Sequence, residues 1–364
     1  MTFVLDDIIN TTQDMIKIPS ISDDLINLEK NIDYIYNFFV DTNLIIEKKY
    51  YNNKPNILVK NFEGKKADIV LNGHIDVVAG SDDKQFEPYI KGNKLYGRGS
   101  IDMKGGISII MYIMKYLDSI SYKDKKISLI ITSDEEIGGF DCAYNIAKDG
   151  YIGDIILIPD GGSSTRIVNT QKGLNLFEVV AQGKSCHSSR PWLGDNAINK
   201  IFNLYKDLKE TFENKTKNNR YSTVNLNKIQ GGKSINAIPN ECIASFDIRF
   251  TEDFDDSYVR ETVNKLIINN SCTVIKSIFG SCLHTDENDK NLQKFKSIAS
   301  DLSGGKEINF VKEHGGSDGR FFAQYGSKII LYRPDGDNLH TFDEWIDINS
   351  FELIYNSYLK FILS

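Results

Sequence analysis

The sequence predicts an α/β fold in which a mostly parallel sheet is interrupted by a smaller, inserted α+β region. Short apolar runs alternate with helical patterns in the first part of the 364-residue chain. The pattern changes near Lys172 and returns from about residue 288. Strands that alternate with helices are typical of a parallel sheet covered on both faces. We therefore expect one domain formed by residues 1–171 and 288–364, and a second domain formed by residues 172–287.

Strands and a helix of the first domain are predicted from their apolar patterns. Residues 67–73, 126–132 and 154–160 are short apolar runs, with a length typical of buried strands. Residues 105–117 place apolar side chains three and four positions apart, which predicts a helix. After the insert, residues 328–334 are expected to form a further strand.

The inserted region has a different pattern. Three stretches alternate partly between apolar and polar residues and are expected to be strands: residues 174–183, 222–232 and 242–250. An amphipathic helix is expected near residues 198–208, and another at 256–269. Residues 213–220 are polar and predict an exposed loop. This mixture indicates an α+β domain.

Charge, apolar runs and cysteines exclude several classes of protein. The net charge is −7 without a basic tract, whereas binding to nucleic acid requires clustered Lys and Arg. No apolar run reaches the ~18–20 residues that span a bilayer. The N-terminal stretch carries acids where a signal peptide carries a basic end, so we expect a cytoplasmic location. The five cysteines form no CxxC pair, which predicts reduced thiols without a disulfide or a structural zinc site.

Acids and imidazoles follow the predicted strands, where open α/β sheets bind their ligands. The residues at these positions, or in the glycine-rich turn before the predicted helix, are His74, Asp76, Asp102, Glu135, Glu136, Asp160 and His340. A single histidine there is more often a structural one, and Asp102 could be a helix N-cap. The glycine-rich turn lacks the GxxxxGK[ST] spacing of a phosphate-binding loop. Together, however, so many like charges would repel strongly unless cations lay among them.

Seven motifs occur in order along the chain and are similar to those of one family. They are NGHIDVV, LYGRGSIDMKGG, TSDEEIGG, GKSCHSSRPWLGDNAI, INAIPN, DIRF and GGSDGRF. From about residue 10 to the C-terminus, the chain resembles the two-metal amidohydrolases and peptidases. That family includes succinyl-diaminopimelate desuccinylase, acetylornithine deacetylase, aminoacylase and glutamate carboxypeptidase. The resemblance implies a catalytic domain of the zinc-peptidase type, interrupted by a smaller dimerisation (lid) domain, and a homodimer.

The resemblance also implies a site for two divalent metal ions, with Zn²⁺ expected and Co²⁺ or Mn²⁺ as alternatives. Asp102 would bridge the two ions. His74 and Asp160 would complete the protein ligands of the first ion, and Glu136 and His340 those of the second. Nitrogen and oxygen ligands with few protein groups per metal leave room for a water, as a catalytic zinc requires.

Further residues are expected to orient the site and to transfer protons. Asp76, two residues beyond His74, would hold that imidazole without binding the metal itself. Glu135 would be the general base that takes a proton from a metal-bridging water as an amide carbonyl is attacked. The side chains of Glu135 and Glu136 must point in different directions if they have different roles. Neighbouring side chains at the end of a strand do so. Cys186 beside His187 could be a nucleophile, but no third residue supports the pair and the metal ligands already explain catalysis.

The insert and the GGSDGRF loop supply the substrate contacts that the resemblance implies. In relatives, the residue corresponding to His187 comes from the other subunit of a dimer and donates to the reacting carbonyl oxygen. Asn236 and Arg249 match substrate-binding positions, although a cap and a surface ion pair are their alternatives. The GGSDGRF loop binds the carboxylate end of the substrate in relatives, and a glycine turn with solvated charges is its alternative. Its candidate residues here are Gly316, Ser317, Asp318 and Arg320.

The function implied by the resemblance is hydrolysis of the amide bond of a small N-acylated amino acid. A dipeptidase or aminopeptidase is the alternative, because relatives with those activities tend to carry Asp at the position of Asp160. A metal-binding protein without activity would lack the base, but Glu135 is present. Succinyl-diaminopimelate is not the expected substrate. Gly316 stands where its desuccinylase has a threonine, and Gln171 where it has an arginine for a distal carboxylate.

Overall fold

The computed structural model describes residues 4–213 and 220–364. Its helices are, in chain order, α1 Leu5–Ile16, α2 Leu25–Phe39, α3 Gly105–Ser119, α4 Ala143–Lys148, α5 Ala197–Phe212, α6 Asp256–Asn269, α7 Lys290–Leu302, α8 Gly319–Ala323 and α9 Phe351–Leu363. Its strands are β1 Ile45–Tyr51, β2 Lys54–Lys60, β3 Ala67–His74, β4 Tyr89–Lys91, β5 Lys94–Tyr96, β6 Ile127–Thr132, β7 Gly153–Ile158, β8 Arg166–Gln171, β9 Gly173–Gln182, β10 Thr223–Gly231, β11 Glu241–Phe250, β12 Cys272–Gly280, β13 Leu283–His284, β14 Asn309–Glu313, β15 Lys328–Leu331, β16 Gly336–Asp337 and β17 Trp345–Asp347. The polar stretch 213–220, for which the sequence predicts an exposed loop, falls almost wholly outside the described residues.

The described residues divide into two units. The first unit extends to Asn169 and resumes over His284–Glu313 and Ser317–Ser364. The second unit comprises Thr170–Leu283 and His314–Gly316. Within the described ranges, no helix combines the length and the apolar character that crossing a membrane demands.

The first unit is built on a sheet with a parallel centre. Its strand order is β1-β2-β6-β3-β7-β15-β8-β13, and β14 pairs with β8. The central strands β6, β3, β7 and β15 are parallel, whereas β1, β2 and β8 add antiparallel neighbours. Every residue of β6 is buried, as expected for a strand covered on both faces. The predicted α/β fold with a mostly parallel sheet is therefore confirmed.

Register brings the ends of the central strands together. His74, the last residue of β3, pairs with Thr132, the last residue of β6. Helix α3 begins close to the end of β7 because Gly106 has no side chain. A Cβ atom on Gly106 would lie 2.6 Å from the carbonyl oxygen of Pro159. This close approach brings the start of α3 to the loop that carries Asp160.

A small antiparallel sheet lies in the same unit, with strand order β16-β17-β5-β4. Gly336 pairs with Ile346, and Trp345 pairs with Tyr96. Residues 338–344 connect β16 to β17 and carry His340. The small sheet therefore ties the His340 loop to the hairpin that precedes Asp102.

The second unit is a four-stranded antiparallel sheet with α5 and α6. Its strand order is β10-β11-β9-β12. The predicted strands at 174–183, 222–232 and 242–250 correspond to β9, β10 and β11. The predicted helix at 256–269 is α6. Alternate side chains of β9 and β11 enter an apolar core together with side chains of both helices, including Leu204 and Val263.

Candidate active site

The polar residues that follow the predicted strands lie at the carboxyl edge of the parallel strands. His74 ends β3, Asp160 lies two residues after β7, and His340 lies between β16 and β17. Glu135 and Glu136 follow β6, but they lie in a short 3-10 turn. The expectation that a strand end separates their side chains was therefore wrong, because β6 already ends at Thr132.

Two overlapping groups of side chains could each hold a metal ion. The first ligand group is His74, Asp102 and Asp160, and the second ligand group is Asp102, Glu136 and His340. Within each group, the potential ligand atoms lie within 4.8 Å of one another. Asp102 belongs to both groups, which is the arrangement a bridging carboxylate needs.

The two carboxylate oxygens of Asp102 face different imidazoles. Oδ1 lies 3.2 Å from His74 Nε2, and Oδ2 lies 3.2 Å from His340 Nε2. His340 Nε2 is also 3.2 Å from a carboxylate oxygen of Glu136. Each ligand group therefore brings one imidazole nitrogen close to carboxylate oxygens.

Electrostatics show that this cluster needs positive charge. Burial, together with the Asp102 carboxylate, raises the pKa of Asp160 to about 7. Burial also raises the pKa of Glu135 well above its ordinary value. Hydrogen bonds to Asp102 and Glu136 raise the pKa of His340 to about 10. A cluster that would take up protons to relieve its own repulsion fits divalent cations, and imidazole and carboxylate ligands suit such ions.

Asp76 sets the direction of His74. The Nδ1 atom of His74 donates to the backbone carbonyl of Asp76 over 3.0 Å, and the Asp76 carboxylate lies 3.4 Å from the same nitrogen. A proton on Nδ1 leaves the lone pair of Nε2 directed at the first ligand group.

Asp76 also holds the turn that carries the two glutamates. Its Oδ1 accepts a hydrogen bond from the backbone N–H of Glu135, and its Oδ2 accepts one from that of Glu136, each over 3.1 Å. The hydroxyl of Ser22 donates to Oδ2 over 2.9 Å. Sequence reasoning assigned Asp76 only to the imidazole and did not include Ser22.

The adjacent glutamates differ in their surroundings. Glu136 belongs to the second ligand group, whereas Glu135 belongs to neither group. A carboxylate oxygen of Glu135 lies 4.0 Å from His74 Nε2. Glu135 therefore stands next to the ligands with its carboxylate available for a different role.

Arg333 is a further charged residue at this edge that sequence reasoning missed. Its guanidinium Nη1 lies 3.8 Å from Asp160 Oδ1. It follows β15 by two residues, so its place after a central strand was the signal that could have identified it. Arg333 adds one positive charge beside the first ligand group.

The candidate residues of the GGSDGRF loop in the first unit are buried. Asp318 Oδ2 accepts a hydrogen bond from the Thr132 hydroxyl over 2.6 Å. Arg320 Nη2 donates to the carbonyl of Gly138 over 2.6 Å. These contacts connect the loop to β6 and to the turn after it. The substrate contacts expected for Asp318, Arg320 and Ser317 stay predictions.

His187 and Asn236 lie on two paired segments of the second unit. The backbone N–H of Ser188 donates to the carbonyl of Asn236 over 3.0 Å. The backbone N–H of Ser189 donates to His187 Nδ1 over 3.2 Å, which places the proton of a neutral ring on Nε2. The exposed imidazole thus offers an N–H donor, as the role expected for His187 requires.

Two alternatives in the second unit can be compared with the structure. Arg249 Nε donates to Asp247 Oδ1 over 2.8 Å, so the ion pair considered for Arg249 is present. The Cys186 thiol donates to the carbonyl of Arg190 over 3.3 Å, while His187 Nδ1 contacts Ser189. The thiol and the imidazole thus have separate partners, which argues against a Cys–His nucleophile.

A parallel sheet edge that carries two metal-ligand groups with a shared carboxylate defines the class of metal-dependent hydrolases with a two-metal site. The chain belongs to the peptidase family M20/M25/M40, whose sequence profile matches residues 70–364. The predicted resemblance is therefore confirmed. The protein is a metal-dependent hydrolase that acts on amide bonds.

Relatives of this chain differ in their named substrates. A probable succinyl-diaminopimelate desuccinylase of Staphylococcus epidermidis is 27% identical over 296 residues, 72% of this chain and 72% of that protein. An acetylornithine deacetylase of Buchnera aphidicola subsp. Schizaphis graminum is 27% identical over 354 residues, 92% of each chain. A tripeptidase structure from Staphylococcus aureus has a TM-score of 0.78 and 19% identity, and the match covers 100% of this chain and 98% of that one. This last likeness shows the fold alone.

Proposed function

We propose that this protein hydrolyses the amide bond of a small N-acylated amino acid by general-base catalysis at a two-metal site. The position of Glu135 carries the proposal. Its carboxylate lies 4.0 Å from His74 Nε2 of the first ligand group and belongs to neither group, so it is free to act as a general base beside the ions. The names of the desuccinylase and deacetylase relatives support an acyl substrate.

The ligand groups assign a place to each proposed ion. Asp102 would hold both ions, with His74 and Asp160 on the first and Glu136 and His340 on the second. Zn²⁺ suits this mixture of nitrogen and oxygen ligands, and Co²⁺ or Mn²⁺ are the alternatives. When bound, such ions supply Lewis acidity and make a ligated water more acidic.

Glu135 moves the proton. Its carboxylate accepts a proton from a water whose oxygen adds to the amide carbonyl carbon, and it delivers that proton to the leaving nitrogen as the C–N bond breaks. One feature supports this role. Asp76 holds the backbone of Glu135 through a hydrogen bond from its N–H, which fixes the position of the base.

His187 supplies a donor to the reacting carbonyl oxygen, and it comes from the partner subunit of a homodimer. The N–H that its ring offers to solvent supports this role. Large apolar side chains exposed on the two paired segments support a homodimer formed through the second unit. Trp192 is 76% exposed and Ile235 is fully exposed. Surfaces of this kind are typical of protein interfaces.

The substrate carries a smaller or less acidic acyl group than succinyl-diaminopimelate. Gln171 is a neutral amide where an arginine would bind a distal carboxylate, and Gly316 offers no hydroxyl. Lys172 leaves one cation next in the chain, but its Nζ donates to the carbonyl of Tyr221 over 2.5 Å. A lost charge-assisted hydrogen bond costs about 1.5–3 kcal/mol, or roughly 10-fold to 150-fold in binding.

A peptidase is the second candidate, and Asp160 favours it. The family resemblance associates aspartate at this ligand position with dipeptidases and aminopeptidases, so Asp160 points from acylated amino acids towards dipeptides. The tripeptidase likeness adds no weight to this candidate, because it shows only the fold.

A substrate panel separates these candidates. Protein loaded with Zn²⁺, Co²⁺ or Mn²⁺ is assayed on N-acetyl and N-succinyl amino acids, succinyl-diaminopimelate, dipeptides and tripeptides. We expect kcat/KM on the best N-acetyl substrate to exceed the others by about tenfold, a difference of ~1.4 kcal/mol. A higher kcat/KM for a dipeptide or tripeptide than for every N-acetyl amino acid would identify a peptidase. A higher kcat/KM for succinyl-diaminopimelate than for every N-acetyl amino acid would contradict the conclusion that Gln171 disfavours a distal carboxylate.

A further inference from the structure

Arg98 and Glu344 form a buried ion pair in the first unit, 2.6 Å from Nη1 to Oε2. We infer that this pair positions Asp102 and the loop of His340, so that the shared carboxylate and the imidazole of the second ligand group are held ready for metal. The inference rests on the proposed function and adds two positioning residues to it. Neither residue belongs to a ligand group.

Glu344 holds the backbone of the shared ligand. Its side chain is 1% exposed. While Oε2 faces Arg98, Oε1 accepts a hydrogen bond from the backbone N–H of Ile101 over 3.2 Å and from that of Asp102 over 3.4 Å. One carboxylate therefore connects the guanidinium to the peptide that carries Asp102.

Arg98 holds the backbone of His340, which carries the imidazole of the second ligand group. The side chain of Arg98 is 3% exposed. Nη1 donates to Glu344, and Nη2 donates to the carbonyl of His340 over 3.1 Å. The planar guanidinium has two donors with a fixed spacing, so its geometry sets the His340 loop relative to the Asp102 segment.

The backbone of His340 needs such support. Its φ of 63° lies in the left-handed region, which is unfavourable for a residue with a Cβ atom. A second link runs through Gln85, whose side-chain amide donates to the carbonyl of Thr341 over 3.0 Å. The backbone carbonyl of Gln85 accepts from Arg98 N–H over 2.7 Å. Arg98 thus lies at the centre of the contacts that fix this loop.

Stability alone does not explain a buried pair here. Desolvation of two charges often cancels their attraction, and apolar residues of similar volume are frequently as stabilising. Because both side chains also bind backbone groups, the pair instead fixes the orientation of the segments that carry Asp102 and His340. Residues behind metal ligands typically change metal affinity by roughly 10-fold to 100-fold when they are replaced.

The test compares two variants of the pair with a matched ion pair elsewhere. Arg98→Lys keeps the charge but cannot reach Glu344 and His340 with one planar fork, and Glu344→Gln removes the charge opposite a buried cation. The control is Glu47→Gln, opposite Lys60, whose Nζ lies 2.6 Å from Glu47 Oε1 and whose side chain is 3% exposed. Neither Glu47 nor Lys60 belongs to a ligand group.

Metal-free protein of each variant is titrated with Co²⁺, by calorimetry and by visible absorption, and unfolding is followed by circular dichroism. We expect both variants of the pair to bind Co²⁺ roughly 10-fold to 100-fold more weakly than the wild type, with an altered absorption spectrum. The control should bind as the wild type does. If a variant is unfolded without metal, its affinity is compared through the Co²⁺ concentration that restores the circular dichroism signal of the folded protein.

Wild-type Co²⁺ affinity in both variants, whatever their Tm, would overturn the positioning role and leave the proposed function untouched. Equal weakening in Glu47→Gln would overturn it as well, because loss of an ion pair outside the ligand groups would then have the same effect. A wild-type protein that binds fewer than two ions would instead contradict the proposed function. The two failures are therefore distinguishable.

Discussion

Asp76 joins two parts of the candidate site through its two carboxylate oxygens, which accept from the backbone of Glu135 and Glu136. In Asp76→Asn, one of these N–H groups would face an amide donor, and a lost hydrogen bond to a charged group costs about 1.5–3 kcal/mol. We expect a lower Tm and a kcat reduced by roughly 10-fold to 100-fold. Ser22→Ala is the control, because it removes one hydroxyl donor and leaves both turn contacts. Equal losses of kcat in the two variants would contradict this role.

Cys186 is only partly buried, whereas the thiols of the other four cysteines have a pKa raised by burial. Burial raises the pKa of Cys272 to about 11 and that of Cys282 to about 12. Burial also raises the pKa of Cys142 and Cys242 above the ordinary value. Two units of pKa reduce the thiolate fraction about 100-fold. We therefore expect Ellman's reagent to label Cys186 first in the folded protein at pH 8. A fast phase that survives in Cys186→Ser would contradict this expectation.

At the scale of residues, the sequence predicts the site where chemistry follows strand ends. His74 and Asp160 were identifiable because apolar runs mark the strands before them. Arg98 and Glu344 were not identifiable in this way, since they are separated by 246 positions and meet only in the folded chain. Residues that orient ligands through backbone contacts leave no pattern of their own in one sequence.

Among the elements, the start of α3 depends on its closeness to the loop after β7. A Cβ atom on Gly106 would lie 2.6 Å from the carbonyl oxygen of Pro159. We expect Gly106→Ala to destabilise the protein by about 1–3 kcal/mol and to weaken metal binding, because the displaced loop carries Asp160. Thermal unfolding and Co²⁺ titration measure both effects.

Gly315→Ala is the matched control for Gly106→Ala, because a Cβ atom there meets no atom within 4 Å. Its Tm and its Co²⁺ affinity should stay close to those of the wild type. If Gly106→Ala behaves in the same way as Gly315→Ala, the close approach of α3 does not position the loop of Asp160.

The period and length of apolar patterns in the sequence predicted helices and strands more reliably than they predicted the local geometry of turns. Central strands of the sheet have continuous apolar runs, and β9 and β11 show alternation, so their types were predictable. The turn at Glu135 was not, because a short 3-10 turn has no periodicity. β12 is mostly exposed at the edge of its sheet and lacks the alternation of a half-buried strand.

For the whole molecule, the proposed homodimer predicts that active sites are shared between subunits. His187→Ala and Glu135→Gln should each be inactive alone. After subunit exchange, the mixture should recover activity, because one hybrid site would contain both His187 and Glu135. Exchange is verified with affinity tags of two kinds. A mixture that exchanges subunits and stays inactive would contradict a role for His187 across the interface.

In the proposed mechanism, Glu135 moves the proton while the ligand groups hold two ions. Metal content and kcat of Glu135→Gln, measured on the same sample, test it most directly, with Glu136→Gln as the matched control. We predict two ions per chain in Glu135→Gln and a kcat reduced by roughly 10²-fold to 10⁴-fold, since only the base is lost. Glu136→Gln should lose affinity for one ion. A Glu135→Gln protein that has lost an ion, or one that keeps its turnover, would contradict the account.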